Sequence, residues 1–511
     1  MAKDSLLLMR INVKALLLFS VFVVATCGLV YELVAGTLAS YLLGDSVTQF
    51  STIIGVYLFS MGIGSYLSKF FNRNLIAWFI QIEVLVAVVG GLSSSILFLL
   101  FNQVASFRIV LYMLVSLTGI LVGLEIPLIM RILEDRFEFK DLVSKVFTFD
   151  YIGALLASVV FPLLLVPYLG LLRTSFFFGL MNAGVALWLC FFFSKEISWT
   201  RYLKTTCMLA IALLVAGFIL SDRIMSFAES MAYADKIVYS VQSPYQRVVL
   251  TKNEHELRLF LNGNLQFSSA DEYRYHEALV HPGLNAVPNP RQVLVLGGGD
   301  GLAVREILRY PGVEKVTLVD LDPEVTKIFK SHASLVALNQ ESLLSEKVEV
   351  INADAFQWLR ENRKQFDFVV IDFPDPSNYS IGKLYSNVFY RLLENTLTPE
   401  GKVVIQATSP FVAPKSYWCV VNTLQSCGFS TLPYHAHVPS FGDWGFVLAQ
   451  RKTNWQLNPD YPKELKFVDA ASFAQMAVFP KDMPRVETEV NKLNNQVLVH
   501  YFEEEWAQFV N

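Results

Sequence analysis

Two aspartates stand three residues apart in Asp372-Phe373-Pro374-Asp375-Pro376, directly after an apolar run at 368–371. Each proline fixes φ, so the segment can hold two carboxylates in a defined relation. Such a pair can bind two metals, act as acid and base, or grip ammonium groups. Metal sites generally want further His, Asp or Glu ligands nearby, and only His276 offers itself, so gripping a cation is the better reading and no metal is expected.

A second acidic set lies upstream. Gly297-Gly298-Gly299-Asp300-Gly301 joins the apolar run 293–296 to a helical pattern at 302–310, which reads as strand, tight nucleotide-binding turn and helix. Twenty residues past Asp300, Asp320 closes another apolar run, where an acidic side chain can accept both ribose hydroxyls of a nucleoside. Asp300 itself sharpens the class: a carboxylate inside the turn repels a pyrophosphate and attracts a cation, so dinucleotides are disfavoured and a sulfonium nucleoside carrying an amine is favoured.

Strand-like runs at 293–296, 316–319, 348–351, 368–371 and 402–406 alternate with helical stretches, the rhythm of a parallel, doubly wound, Rossmann-like sheet. Ligands of such sheets bind beyond the carboxyl ends of the strands. There the sequence puts Asp300, Asp320, Asp354, Asp372 and Gln406. Upstream, strands at 246–250 and 257–266, the second carrying the turn pair Asn262-Gly263, predict a small β-rich subdomain, and a helix runs from Asp271 to about Leu284.

The first 222 residues are built for another solvent. Apolar segments at about 13–35, 48–67, 75–101, 107–131, 148–169, 174–194 and 203–221 each approach the ~20 residues that cross a bilayer as helix, which predicts a multi-pass membrane domain of seven spans. Domain limits of 1–222, 223–290, 291–452 and 453–511 follow: membrane domain, linker with β-hairpin subdomain, nucleoside-binding catalytic domain and C-terminal extension. Basic residues cluster in alternate loops (Lys3, Arg10 and Lys14; Lys69 and Arg73; Arg131, Arg136, Lys140 and Lys145; Lys195, Arg201 and Lys204), against Arg108 and Arg173 in the others. The positive-inside rule makes the N-terminus cytoplasmic, and an odd number of spans then leaves the catalytic domain outside, in conflict with a cytosolic nucleoside substrate. The side of the membrane stays open at this level.

Lys plus Arg against Asp plus Glu is 15 to 13 before residue 230 and 26 to 32 after it, so the second half lacks the basic footprint of a nucleic-acid binder. Glu32, Glu83 and Glu125 interrupt apolar spans and read either as a polyamine or proton path or as packing contacts. The small residues of Gly62-Ile63-Gly64-Ser65 and of 154–158 predict close helix packing. Five cysteines at unrelated spacings suggest neither a zinc site nor a disulfide framework.

From 238 to 452 the chain resembles the spermidine synthases, the polyamine aminopropyltransferases. The resemblance rests on Tyr245-Gln246, Leu265-Gln266, Asp271-Glu272 with Tyr275-His276-Glu277, Gly297 to Gly301, Asp320-Leu321-Asp322, Asn352-Ala353-Asp354-Ala355 and Asp372-x-x-Asp375-Pro376; the apolar N-terminus is similar to that of the membrane-anchored bacterial branch. It implies a methyltransferase-like fold and transfer of an aminopropyl group from decarboxylated S-adenosylmethionine, a co-substrate rather than a tightly bound cofactor, to putrescine or a related amine. By the resemblance Asp372 is the proton acceptor. Asp300 and Asp372 would hold the aminopropyl amine, Asp320 the ribose, Asp354 with Ala355 the adenine, and Gln246 the methylthioadenosine moiety, on a turn formed by Gly297 and Gly299. Gln266, Tyr275, His276 and Asp375 would line the diamine tunnel. Relatives commonly form oligomers, although Trp506 in the C-terminal tail could equally pack on its own chain.

Two positions depart from the family pattern. Tyr379 stands where many members have proline, and Phe441 where a tyrosine often supplies a hydroxyl to the far ammonium, a role that Asp443 could take over. A methyltransferase using intact S-adenosylmethionine and a membrane polyamine sensor or transporter are the alternative readings.

Overall fold

The structure is a computed structural model that describes residues 2–510 apart from 44, 45, 102, 105, 135, 136 and 198. Arg136 and the side chains of Lys3 and Arg10, read above for orientation, lie outside what is described. The chain forms two units, 1–234 and 235–511, so the helical region extends past 222 and the C-terminal stretch belongs to the second unit.

Among the described residues, the first unit is made of α1 (Ala2–Leu43), α2 (Ser46–Leu67), α3 (Leu75–Leu100), α4 (Phe107–Leu133), α5 (Phe139–Val160), α6 (Val166–Phe192) and α7 (Thr200–Ala232). Among the described residues, six helices are long and apolar enough to cross a bilayer when α5, the π-helical turn Phe161–Leu165 and α6 are taken as one run of 54 residues. That run is twice the length a single crossing needs, and it is interrupted at Gly170, whose φ of 71° is not helical.

Close helix approach explains some of the small residues. A Cβ on Gly64 of α2 would collide with the carbonyl of Ile120 on α4, and one on Gly123 of α4 with the carbonyl of Met61. Gly62, expected to do the same, faces open space. In α5 the close contact falls on Gly153, against the backbone of Phe22, and on the buried Ala157.

The second unit opens with an antiparallel sheet of β1 (Lys236–Gln242), β2 (Arg247–Lys252), β3 (Leu257–Leu261) and β4 (Asn264–Ser268), in that order. The β3–β4 turn is the expected Asn262-Gly263, with φ of 51° and 81°. Strand β1 was not foreseen. Then follow α8 (Glu272–Leu284), β5 (Gln292–Gly297), α9 (Leu302–Ile307), β6 (Lys315–Asp320), α10 (Pro323–Ser331), α11 (Ala333–Leu338), β7 (Val348–Asn352), α12 (Ala355–Glu361) and β8 (Phe366–Asp372). The chain ends through α13 (Tyr379–Gly382), α14 (Asn387–Thr396), β9 (Leu397–Gln406), α15 (Pro414–Ser426), β10 (Ser430–Val438), β11 (Gly442–Gln450), α16 (Ala470–Met476) and α17 (Val497–Val510).

The seven-stranded sheet has the order β10-β11-β9-β8-β5-β6-β7, with the five expected strands parallel and the unforeseen hairpin β10–β11 antiparallel at one edge. Alternate residues of each central strand face opposite ways: Val293, Val295, Phe368 and Val370 enter one core with α8 and α9, while Leu294, Leu296, Val369 and Ile371 enter the other with α14 and α15. Apolar side chains on both faces are what make these strands read as continuous hydrophobic runs. Tail residues close both cores. The Glu277 carboxylate accepts from the backbone N–H groups of Lys466, Phe467 and Val468, and that of Glu505 on α17 accepts from Lys415 N and Ser416 N.

Helix packing at Gly123 is testable in the full chain. Gly123→Ala is expected to lower the melting temperature of detergent-purified protein, the overpacking costing about 1–3 kcal/mol, whereas Gly62→Ala leaves it within error. Equal effects at the two positions would contradict the packing described.

Candidate active site

Register sets the site. In the β5–β8 pairing Gly297 lies opposite Asp372, so the glycine turn and the two-aspartate loop leave adjacent strands at the same edge. Gly297 has φ of 81°, and a side chain there would collide with the Asp372 carbonyl, so glycine is required on both counts. A Cβ on Gly299 would come within 2.7 Å of the Asp320 carboxylate. Instead the Gly299 N–H donates to Asp320 Oδ2 (3.0 Å), and Asp322 N–H donates to Oδ1 (2.9 Å).

Asp300 lies just before the N-cap Gly301 of α9, and Leu302 N–H donates to its Oδ1 at 2.9 Å. A carboxylate thus occupies the helix end on which a phosphate would otherwise rest. The helix is also shorter than the expected 302–310, because Pro311 disfavours helical backbone at Tyr310.

Tyr275, on α8, donates its hydroxyl to Asp372 Oδ1 at 2.6 Å, and its half-buried phenol also feels the charge of Asp375. Asp372 in turn feels Asp300 and His276. Asp300, Asp372 and Asp375 therefore converge on one neighbourhood around Tyr275. Burial, then the charge of Asp300, pushes the Asp372 carboxyl up to about 6. Burial, with the charges of Asp322 and Asp300 adding to it, pushes Asp320 up to about 6, and burial pushes Asp375 up to about 7, each against opposing hydrogen-bond donors. Asp300 is raised by burial as well, with His276 opposing. Asp375 Oδ1 is buried without a hydrogen-bond partner among the described residues. Acids held in this way favour an arriving cation.

A buried ion network supports the cluster. The guanidinium of Arg305 on α9 donates to both oxygens of Glu272 (2.8 and 2.9 Å) and to Glu306 (2.8 Å), and Glu306 also pairs with His281 (3.0 Å). His276 Nδ1 lies 2.9 Å from Glu272 Oε2. Burial drives His276 down, but Glu272 outweighs it and lifts the imidazole to about 9. His276 thus stands as a counter-charge to Asp300 and Asp372. Arg305, Glu306 and His281 were not anticipated, since nothing in a short helix marks which charges are buried.

Other residues hold the two-aspartate loop. The Tyr385 hydroxyl donates to the carbonyl of Pro374 (3.1 Å), the Gln406 amide donates to the carbonyl of Phe373, and Trp444 Nε1 donates to Gln406 Oε1 (3.1 Å). Of these only Gln406 was legible, as a polar strand end.

Some expected residues are engaged elsewhere. Asp354 caps α12 and pairs with Lys383 (2.8 Å), with buried Ala355 as the first residue of that helix; the pairing outweighs burial and lowers the Asp354 carboxyl. Gln246 donates to Asp322 Oδ2 (3.0 Å), the N-cap of α10, and Gln266 makes local contacts with the carbonyls of Asn264 and Leu265. Asp443 is committed to His435 (2.9 Å), so it is not a spare handle beside Phe441, which packs between Tyr275 and Trp444. Tyr379 turns toward His500 of α17.

Residues 272–460 match the spermine/spermidine synthase domain. A polyamine aminopropyltransferase of Leptospira interrogans is 53% identical over 495 residues, covering 97% of this chain and 99% of that protein. The chain belongs to the polyamine aminopropyltransferase family. Polyamine aminopropyltransferase 2 of Ralstonia nicotianae is 55% identical over 501 residues, with 96% and 98% covered. A solved spermidine synthase in complex with the transition state analogue AdoDATO aligns with 48% of this chain and 86% of its own at 25% identity, with a TM-score of 0.45. The identity to the first two relatives extends over the helical unit, so this aminopropyltransferase shares nearly its whole length with them.

A carboxyl whose pKa is higher folded than unfolded opposes folding once the unfolded chain has ionised. For Asp375 the cost is absent below about pH 4, accumulates up to pH about 7 and is complete above. Asp375→Asn is therefore expected to raise the melting temperature relative to the parent more at pH 8 than at pH 5, the difference being on the order of 1–3 kcal/mol. A pH-independent offset would contradict the burial described.

Proposed function

We propose that the carboxylate cluster catalyses aminopropyl transfer from decarboxylated S-adenosylmethionine to putrescine or a related amine, giving spermidine and methylthioadenosine. The carrying observation is the convergence of Asp300, Asp372 and Asp375, all half-buried and raised, beside a glycine turn whose neighbour is Asp320.

The amine nitrogen attacks the carbon beside the sulfonium; a C–N bond forms, the C–S bond breaks, and neutral methylthioadenosine leaves with the bonding pair. Free alkylamines have pKa near ~10 and arrive protonated, so a base must take a proton before attack. Asp372 is that base in this reading, its Oδ1 held by Tyr275. Asp300 and Asp372 hold the aminopropyl ammonium and Asp320 the ribose. Asp375 draws in the acceptor amine. Two cations placed end to end repel each other, and acidic walls withdrawn from water offset that repulsion where screening is weak. Asp354 with Ala355 at the adenine, and Gln246 and Gln266 at the two substrates, complete the assignment; the first and third of these must give up or share their present partners Lys383 and Asp322.

We further infer that the first unit anchors the enzyme in the cell membrane as a multi-pass domain, supported by the long apolar helices and by Phe59, Leu163 and Ile219, large apolar side chains more than 60% exposed on them. The protein should stay with the membrane fraction through alkaline carbonate washing; its release would contradict anchoring.

Detergent-purified protein given decarboxylated S-adenosylmethionine and a panel of di- and triamines is expected to release methylthioadenosine. Asp372→Asn should lower kcat by roughly 10²–10⁴-fold. Asp375→Asn should act mainly on KM for the amine, by roughly 10–100-fold. Release of no methylthioadenosine with any amine, by folded protein, would overturn the proposal.

A further inference from the structure

Just past the end of β9 the backbone takes a turn that its residue type disfavours. Thr408 has φ of 52°, and among the described residues it is the one β-branched side chain in the left-handed region, where the other non-glycine residues are Asn, Gln and Glu. A branched Cβ crowds its own backbone there, so the conformation is strained and persists only where the surroundings hold it. They hold it from both sides. Thr408 N–H donates to Gln406 Oε1 (3.2 Å), the Thr408 carbonyl accepts from Gly445 N–H (2.7 Å), and Ala407 N–H donates to the Gly445 carbonyl (2.9 Å). A Cβ on Gly445 would come within 2.7 Å of the Thr408 carbonyl oxygen, so the close pairing needs glycine on β11.

Glycine or asparagine would form the same turn at lower cost, and what threonine adds is a hydroxyl. Thr408 is 1% exposed, and its Oγ1 makes no hydrogen bond among the described residues. Beside it lies Asp375, half-buried, whose covered oxygen Oδ1 is likewise unpartnered among the described residues. Gln406 and Thr408 are the two groups that lower this carboxyl against its burial. The Gln406 amide N–H group is already engaged with the Phe373 carbonyl and the Tyr385 hydroxyl, which leaves the threonine to serve Oδ1. The titratable groups that feel the charge of Asp375 are the phenols of Tyr275 on α8 and of Tyr385, both raised by burial and therefore neutral. A hydroxyl hydrogen rotates to suit its neighbour, so this one can turn to Oδ1 as the carboxyl ionises. The ionised form is the one that attracts an ammonium.

We propose that Thr408 is a positioning residue for the acceptor amine: from behind Asp375 its hydroxyl donates to Oδ1 and leaves Oδ2 to face the amine nitrogen. Thr408 itself does not touch the substrate. The proposal rests on the reading of Asp375 as the group that draws in the acceptor amine.

Thr408→Val keeps the shape and the crowding and removes only the hydroxyl. In the full chain in detergent, its KM for 1,4-diaminobutane is expected to exceed the parent's by roughly tenfold at pH 6, as loss of one hydrogen bond to a charged group gives, and to converge on it at pH 9, where Asp375 is ionised in both. KM for decarboxylated S-adenosylmethionine should not change, and Thr408→Ser, which keeps the hydroxyl, should follow the parent. Should the valine variant fail to fold, Thr408→Gly takes its place, since glycine adopts the same φ without crowding; it is expected to show the same KM pattern with an undiminished melting temperature. A pH-independent change, equal effects on both substrates, or a serine variant as impaired as valine would overturn the proposal. A measurement without substrate separates it from the catalytic reading. Between pH 5 and pH 8 the melting temperature should fall further in Thr408→Val than in the parent, because a carboxyl raised further opposes folding more once the unfolded chain has ionised, and this difference should vanish in an Asp375→Asn background. Its persistence there would overturn the action of Thr408 through Asp375. Its disappearance, in a protein that turns over no amine, would leave that action standing and count against the catalytic reading alone.

Discussion

Carboxyl groups withdrawn from water, with fewer positive partners than negative charges, are what the second unit is arranged around. Asp300, Asp320, Asp372 and Asp375 all sit where burial raises them, and the protein counters with His276, itself held charged by Glu272, and, for Asp300, with the charge of Arg305. The cluster is left short of positive charge. A cationic ligand completes it, so binding supplies the compensation that folding withholds.

The sheet makes this shortage possible. Parallel strands β5, β6 and β8 end at a common edge, and each delivers an acid there: Asp300 from the turn after β5, Asp320 from β6, and Asp372 with Asp375 from β8 and its loop. Packing on both faces holds those strand ends rigid. Arg305 and Glu272 tie α9 to α8, and Tyr385, Gln406 and Trp444 secure the loop, so the carboxylates cannot simply swing apart to relieve their repulsion.

Much of this was legible from the chain itself. The five parallel strands are buried on both faces and therefore appear as uninterrupted apolar runs, and the acids follow those runs directly. Strands β1 and β10 were missed because each lies at a sheet edge, where half-exposed polar residues such as Ser240, His435 and His437 break the apolar signal and Pro433 is tolerated. The charge of His276 was hidden for a different reason: it depends on Glu272 one turn away, whose own state depends on Arg305 from the next helix. Asp354 read as one more strand-end acid, while in space Lys383 and the start of α12 claim it. Burial and long-range pairing decide such cases, and neither is written in local spacing.

The central claim is that negative charge at the strand ends selects a cationic nucleoside. Titration calorimetry of the full chain with decarboxylated S-adenosylmethionine and with intact S-adenosylmethionine compares two ligands that differ by one carboxylate. The account predicts at least tenfold tighter binding of the decarboxylated form, with the preference reduced in Asp300→Asn. Equal affinities, or a preference for the carboxylated ligand, would contradict it.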